Sequence, residues 1–164
     1  MTWPFRIDAR IVSSLLGGVV LVLDQVSKHL ATLHLSREGV AIIPGFFDLT
    51  LVHNPGAAFG LFNALPGLYR QLLLVGVALL ASGVILYLLS RTTRPLSALA
   101  LGWILGGALG NLVDRLRFGW VVDFIHVHWH DLSWPVFNIA DSAITLGIGV
   151  MVWESFTLPK EAEK

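Results

Sequence analysis

The sequence predicts an all-α membrane protein of four transmembrane helices with a small extracytoplasmic β cradle, and three observations carry that prediction. Of 164 residues, 55% are hydrophobic and only 13% charged, about half the charged share of an ordinary soluble domain. Apolar runs long enough for a bilayer recur four times, at about 11–33, 68–90, 95–116 and 137–155. The connections 36–67 and 119–136 instead carry alternating, strand-like stretches.

Each span follows from its residues. Arg6 and Arg10 before the run Ile11 to Leu23 resemble a secretory signal, but no small-residue cleavage site follows. The pattern continues through Asp24-Gln25-Val26-Ser27-Lys28 and His29, so a retained first helix is expected. Leu68 to Ser90 is almost wholly apolar, and Arg91-Thr92-Thr93-Arg94 links it to the third span as a hairpin turn. The fourth, Phe137 to Trp153, is near the lower limit of roughly 17 residues. These spans and loops use the whole chain, so residues 1–164 are expected to form one membrane domain.

Lys and Arg asymmetry gives an orientation. Arg6, Arg10, Arg91, Arg94, Lys160 and Lys164 share one side if both termini are cytoplasmic, while Arg37 is the one Lys or Arg of the two outer connections. Trp120, Trp129, Trp134 and Tyr69 fall near the outer boundary, where interfacial aromatics belong. Arg115 and Arg117 at the outer end of the third helix break the charge rule and need a local reason. In the first outer connection Pro44-Gly45 and Asn54-Pro55-Gly56 mark turns around the strand-like Phe46 to Val52, and Val121 to Trp129 reads as extended.

Composition also excludes. A formal net charge of zero removes the electrostatic case for nucleic acid, and the absence of cysteine removes disulfides, thiol nucleophiles and cysteine-bound metals.

An ionisable residue inside a bilayer costs roughly 2.5–3.5 kcal/mol on insertion scales, so each requires an account. At 1.5 Å of rise per residue, Asp24 lies about 20 Å along the first helix and Asn111 about 22 Å along the third, both in the outer half. Asp123 follows the third helix, and Asn138 and Asp141 open the fourth, so polar groups converge at one level. Asp24 and Lys28 form an i,i+4 pair in the favourable order. Asn111, Asp114 and Arg115 share a helix face, as do Asn138, Asp141 and Thr145. A structural ion pair accounts for Asp24 and Lys28; Asn111 and Asn138 suit interhelical hydrogen bonding or substrate contact equally. Gly102, Gly106 and Gly110 form a small-residue ridge for helix packing.

Asp123 among Val121, Val122, Phe124 and Ile125, and Asp141 among Ile139, Ala140, Ala143 and Ile144, have no cation adjacent in sequence. Two such carboxylates at one level can share a proton, one acting as base toward water and the other as acid. The residues alone leave an aspartyl dyad and a proton-relay or ion site open.

Five segments now align with a known family: Asp24-Gln25-Val26-Ser27-Lys28, Asn54-Pro55-Gly56-Ala57-Ala58-Phe59-Gly60, Gly110-Asn111-Leu112-Val113-Asp114-Arg115, Val122-Asp123-Phe124 and Phe137-Asn138-Ile139-Ala140-Asp141-Ser142. In that order they resemble the bacterial lipoprotein signal peptidases (signal peptidase II). The resemblance implies a membrane-embedded aspartyl endopeptidase of the inner membrane, inhibited by globomycin and needing no metal or organic cofactor. Its implied partners are membrane lipids and a prolipoprotein signal peptide, cut just before a diacylglyceryl-modified cysteine near the outer leaflet. Asp123 and Asp141 match the catalytic pair; Asn54, Asn111, Arg115 and Asn138 match surrounding polar residues, and Asp24 and Lys28 the first-helix pair. A monomer is the expected state. Gly56 and Gly60 give the Phe59-Gly60-Leu61-Phe62 stretch freedom to cover a bound signal peptide, and Arg115 and Arg117 are placed to meet backbone carbonyls or lipid phosphates.

Two other classes read less well. A transporter needs ionisable groups at several depths, whereas the inner halves of the second and third spans are nearly all apolar. His126, His128 and His130 alternate as zinc ligands on a strand face would, but no H-E-x-x-H helix accompanies them, and a wet histidine face is expected.

Overall fold

The computed structural model describes residues 8–56, 62 and 64–157. Helices α1 (Ala9–His34), α2 (Gly67–Arg91), α3 (Pro95–Phe118) and α4 (Ile139–Thr157) are each long and apolar enough to cross a membrane. Their surface inverts that of a soluble protein: Leu15, Val19, Leu79, Leu80 and Leu146 are all more than half exposed, as a hydrocarbon solvent permits. Asp8 caps α1 by accepting from the Arg10 N–H at 2.9 Å. Pro95 opens α3, where no N–H is required, and Gly119 ends it at φ 81°.

α3 packs against each of the other three helices. Gly102 and Gly106 meet the backbone of Ser13 and Gly17 on α1, and Gly107 meets the Ala140 carbonyl of α4. Absent side chains let the backbones approach, the usual means of helix association where lipid removes the hydrophobic drive. Gly110 serves differently from the other two ridge glycines: the space a Cβ would fill there holds the Asp24 carboxylate. Between α2 and α3 lies an aliphatic cluster of Ile85, Leu89, Ala98, Leu101 and Leu105.

At one end of the bundle Arg10 Nη1 donates to the Ser90 carbonyl at 2.8 Å, bringing the start of α1 to the basic α2–α3 link. Nearby the Ser97 hydroxyl donates to buried Glu154, a polar contact the sequence reading did not anticipate. Arg6, Lys160 and Lys164, and the Phe59-Gly60-Leu61 part of the expected cover, lie outside the described residues.

The opposite end carries an antiparallel sheet in the order β1 (Val40–Ile43), β2 (Phe47–Asn54), β3 (Val121–Trp129), β4 (Leu132–Ser133). The expected 46–52 strand runs on to Asn54, and Pro44-Gly45 turns the chain between β1 and β2, with Gly45 at φ 77°. β1 and β4 add to the two strands read from sequence. β2 and β3 pair from Phe47↔Val127 to Asn54↔Val121, with a bulge between Leu49 and Val52. Phe137 then exchanges backbone hydrogen bonds with Ile125 at 2.8 and 2.9 Å, so the chain joins the sheet before turning into α4. For that reason the fourth helix starts at Ile139 and not at 137.

Candidate active site

The site forms where α3, β3 and the start of α4 meet. Gly119 turns the chain from α3 into β3, so Asp123 arrives on a strand held by β2. The Ile125–Phe137 bridge sets Asn138 beside it. Asn138 caps α4: its Oδ1 accepts the Asp141 N–H at 2.9 Å and its backbone carbonyl accepts the Ser142 N–H at 3.1 Å. Asp141 thus occupies the first turn of α4, where the helix dipole favours a carboxylate.

Asp123 is 1% exposed and accepts two amide hydrogen bonds, from Asn54 Nδ2 to Oδ2 at 3.0 Å and from Asn138 Nδ2 to Oδ1 at 2.6 Å. Asn111 Nδ2 donates to Asp141 Oδ1 at 2.8 Å. Burial pushes the Asp123 carboxyl up to about 7, and the negative charge of Asp141 adds to the rise against the lowering effect of the Asn54 and Asn138 amides. Asp141 is only partly buried. One carboxyl is therefore enclosed and inclined to hold a proton, while its neighbour is open to an incoming molecule.

An ionic cluster fixes these amides. Lys28 Nζ reaches Asp24 Oδ2 at 2.8 Å, Asp114 Oδ2 at 2.9 Å and Asn111 Oδ1 at 2.9 Å, which uses all three ammonium donors. Because Asn111 Oδ1 accepts from Lys28, its Nδ2 must face Asp141. Asp24 Oδ1 accepts the Ala140 N–H at 2.9 Å, and Asp114 Oδ2 accepts the Val122 N–H at 3.1 Å. One cluster therefore grips α1, α3, β3 and the start of α4. Among the described residues no buried side-chain nitrogen or oxygen lacks a partner, as costly desolvation demands.

Of the residues singled out from sequence, Asn54, Asn111, Asn138, Asp123 and Asp141 form one connected network. Asp24 and Lys28 lie behind it as an ion pair joined by Asp114, which turns toward Lys28 and not toward the aspartates. Arg115 donates from Nη1 to the Asn111 carbonyl at 3.2 Å and from Nη2 to the Gly56 carbonyl at 3.4 Å. The backbone carbonyls thus account for this charge at the helix end. Gly56 donates its N–H to Asn54 Oδ1 at 3.1 Å, which orients the Asn54 amide toward Asp123. Phe59 lies outside the described residues. Sequence reasoning passed over Gln25, whose Nε2 donates to Asp114 Oδ1 at 2.9 Å and to the Gly110 carbonyl at 3.1 Å; its place between Asp24 and Lys28 was the available signal. His130 lies past the end of β3 at φ 51°, so the three histidines do not share a strand face.

Residues 16–157 match the family model described as signal peptidase (SPase) II. A lipoprotein signal peptidase of Syntrophus aciditrophicus is 43% identical over 148 residues, covering 88% of this chain and 92% of that protein. One from Moorella thermoacetica is 46% identical over 143 residues, covering 85% and 89%. A bacterial membrane enzyme solved by the in meso method at 2.3 Å resolution superposes with a TM-score of 0.77 at 29% identity, covering 93% of this chain and 94% of that one.

Proposed function

The chain belongs to the signal peptidase II family, and we propose that it removes signal peptides from prolipoproteins by aspartyl catalysis at Asp123 and Asp141. The supporting observation is a buried carboxyl raised to about 7 beside a more open one, with Asn138 donating to the Asp123 carboxylate and accepting the Asp141 backbone N–H. In this reading Asp123 holds the proton and Asp141 is the ionised base. Asp141 takes a proton from water as the water oxygen attacks the scissile carbonyl carbon. The Asp123 carboxyl gives its proton to the carbonyl oxygen, which neutralises the charge that develops there. As the tetrahedral intermediate collapses, the proton on Asp141 passes to the leaving nitrogen and the C–N bond breaks. The intermediate's hydroxyl proton returns to Asp123, and the pair again holds one proton.

The cut is placed just before a diacylglyceryl-modified cysteine, whose acyl chains lie among the membrane lipids at the depth of the sheet–bundle junction. Both termini are assigned to the cytoplasm and the sheet to the opposite side of the inner membrane, from the shared end of Arg10, Arg91 and Arg94. Arg115, held by two backbone carbonyls, faces the same junction. The protein works as a monomer, and globomycin is its expected inhibitor.

Cleavage of a diacylglyceryl-modified prolipoprotein by Asp123→Asn and Asp141→Asn variants tests the dyad. Each is expected to lose ~10²–10⁴-fold in turnover, the scale of removing a group that transfers a proton; near wild-type turnover in either excludes it. Since the chain has no cysteine, single Arg37→Cys and Thr93→Cys variants test orientation with an impermeant maleimide. Only the first should label in intact spheroplasts.

A further inference from the structure

On β2 and β3, away from the aspartates, three metal-ligating side chains share one face. Asp48 stands directly opposite His126 in the β2–β3 register, and His128 lies two residues further along β3. His128 Nε2 is 2.7 Å from Asp48 Oδ2, and His126 Nδ1 is 3.7 Å from the same oxygen. Ligand atoms of all three lie within 4.8 Å of one another. The geometry points to a binding site for one divalent transition-metal ion of the zinc class, held by Asp48, His126 and His128.

Ligands at the zinc distances of ~2.0–2.2 Å stand roughly 3.3 Å apart in a tetrahedron. Small side-chain rotations, opening the 2.7 Å pair and closing the 3.7 Å one, therefore reach that spacing on a backbone already fixed by strand pairing. Two imidazoles and one carboxylate are a borderline donor set that suits zinc, copper(II) or nickel. Calcium and magnesium require several more oxygens. His126 Nε2 is 2.9 Å from the Ser133 hydroxyl on β4, an outer contact that turns Nδ1 toward Asp48, as second partners of metal-bound histidines do. The three side chains are each about one-quarter exposed (Asp48 26%, His126 25%, His128 22%). A cleft lined by Pro44, Gly45, Phe46, His128, Trp129 and His130 opens alongside and leaves room for water as the fourth ligand. Strand alternation points His126 and His128 to the face opposite Asp123, about 10 and 16 Å along β3 at ~3.3 Å per residue. The ion is thus a clamp between β2 and β3 and takes no part in peptide-bond chemistry.

The test is titration of the full chain, purified in detergent with any affinity tag removed, by ZnCl2 in a calorimeter and by CoCl2 in a visible spectrometer. We expect one equivalent of zinc, visible bands of a four-coordinate cobalt site, and a zinc-dependent rise in melting temperature. His126→Ala, His128→Gln and Asp48→Asn should each weaken zinc binding at least ~10-fold, the scale on which even outer partners of a metal site act. His128→Gln keeps an N–H for Asp48, so its melting temperature without metal guards against loss of fold. His53→Ala, whose ring lies against Trp120, should bind as the parent does. Absence of saturable zinc binding, or affinity unchanged in both His126→Ala and His128→Gln, overturns the site.

Discussion

The Asn138 amide nitrogen donates to Asp123 Oδ1 at 2.6 Å, while the same side chain's oxygen caps the helix that carries Asp141. A fully buried asparagine thus sets the mutual position of the two carboxyls. Asn138→Ala removes both contacts and leaves buried groups unpaired, each at a cost of about 1–3 kcal/mol. Turnover is expected to fall at least ~10-fold with a clear drop in melting temperature. Asn138→Asp, which keeps the cap but replaces the donor with an acceptor, should fold better than Asn138→Ala and still lose turnover. Paired prolipoprotein-cleavage and melting measurements separate the two effects.

If the two carboxyls work with one proton between them, as proposed, pH should act on the pair through it. If the working form has Asp123 protonated and Asp141 ionised, turnover falls as pH rises through about 7, where Asp123 gives up its proton. Stability follows the same group. Its carboxyl lies near 3.8 in the unfolded chain and about 7 when folded, so between these values the folded state binds more protons. The contribution of Asp123 to stability is full below about pH 4, declines as pH rises through about 7, and is level beyond. Melting curves across that window should slope downward for the parent relative to Asp123→Asn. Asp141→Asn removes one cause of the raised value, so the Asp123 carboxyl band in infrared spectra should vanish at a lower pH than in the parent.

Legibility in the sequence followed the range of the interactions. Four apolar runs disclosed four helices because lipid forces hydrophobicity onto every outward face. Asp123 and Asp141 stood out because nothing adjacent in sequence compensates their charge. What sequence could not display were contacts set by register. Asp48 meets His126 only because β2 pairs with β3 in one alignment, and His130 leaves the face only because the strand ends at Trp129. β4 is two residues long, too short for any alternation to register. Asp114 shares a helix face with Asn111 and Arg115 by spacing, yet which neighbour it serves depends on α1 bringing Lys28 across.

The buried cluster around Lys28 gives a test of how the site is held. Replacing one partner of a buried ion network strands the rest, typically at a cost of about 3–5 kcal/mol, whereas replacing the whole network by apolar groups is often neutral. Lys28→Met leaves Asp24 and Asp114 facing each other without a cation, at 0% and 1% exposure, and should be strongly destabilised. Asp24→Asn/Lys28→Met/Asp114→Asn should recover much of that stability. Turnover should recover less than stability, because Asn111 Oδ1 then loses the shorter Lys28 contact and keeps only that from Asn138 Nδ2 at 3.2 Å to fix its amide toward Asp141. A triple variant restored in both stability and turnover would show that the cluster does not orient Asn111.

Adjacent glycines on α1 separate packing from composition. A Cβ on Gly17 would stand 2.6 Å from the Gly102 carbonyl oxygen, a backbone atom that cannot rotate away, while a Cβ on Gly18 meets nothing within 4 Å. Gly17→Ala must therefore push α1 from α3 and disturb the seam formed by Ser13, Gly17, Gly102 and Gly106. Gly18→Ala gains helix propensity, up to about 1 kcal/mol, at no steric cost. Melting temperature in detergent should drop in the first and hold or rise in the second. The loss in Gly17→Ala should extend to turnover, because α1 carries Asp24 and Lys28 to the site about two to three turns further along, at 3.6 residues per turn. Equal melting temperatures and equal turnover for the two variants would mean that close approach of α1 and α3 does not position the aspartate pair.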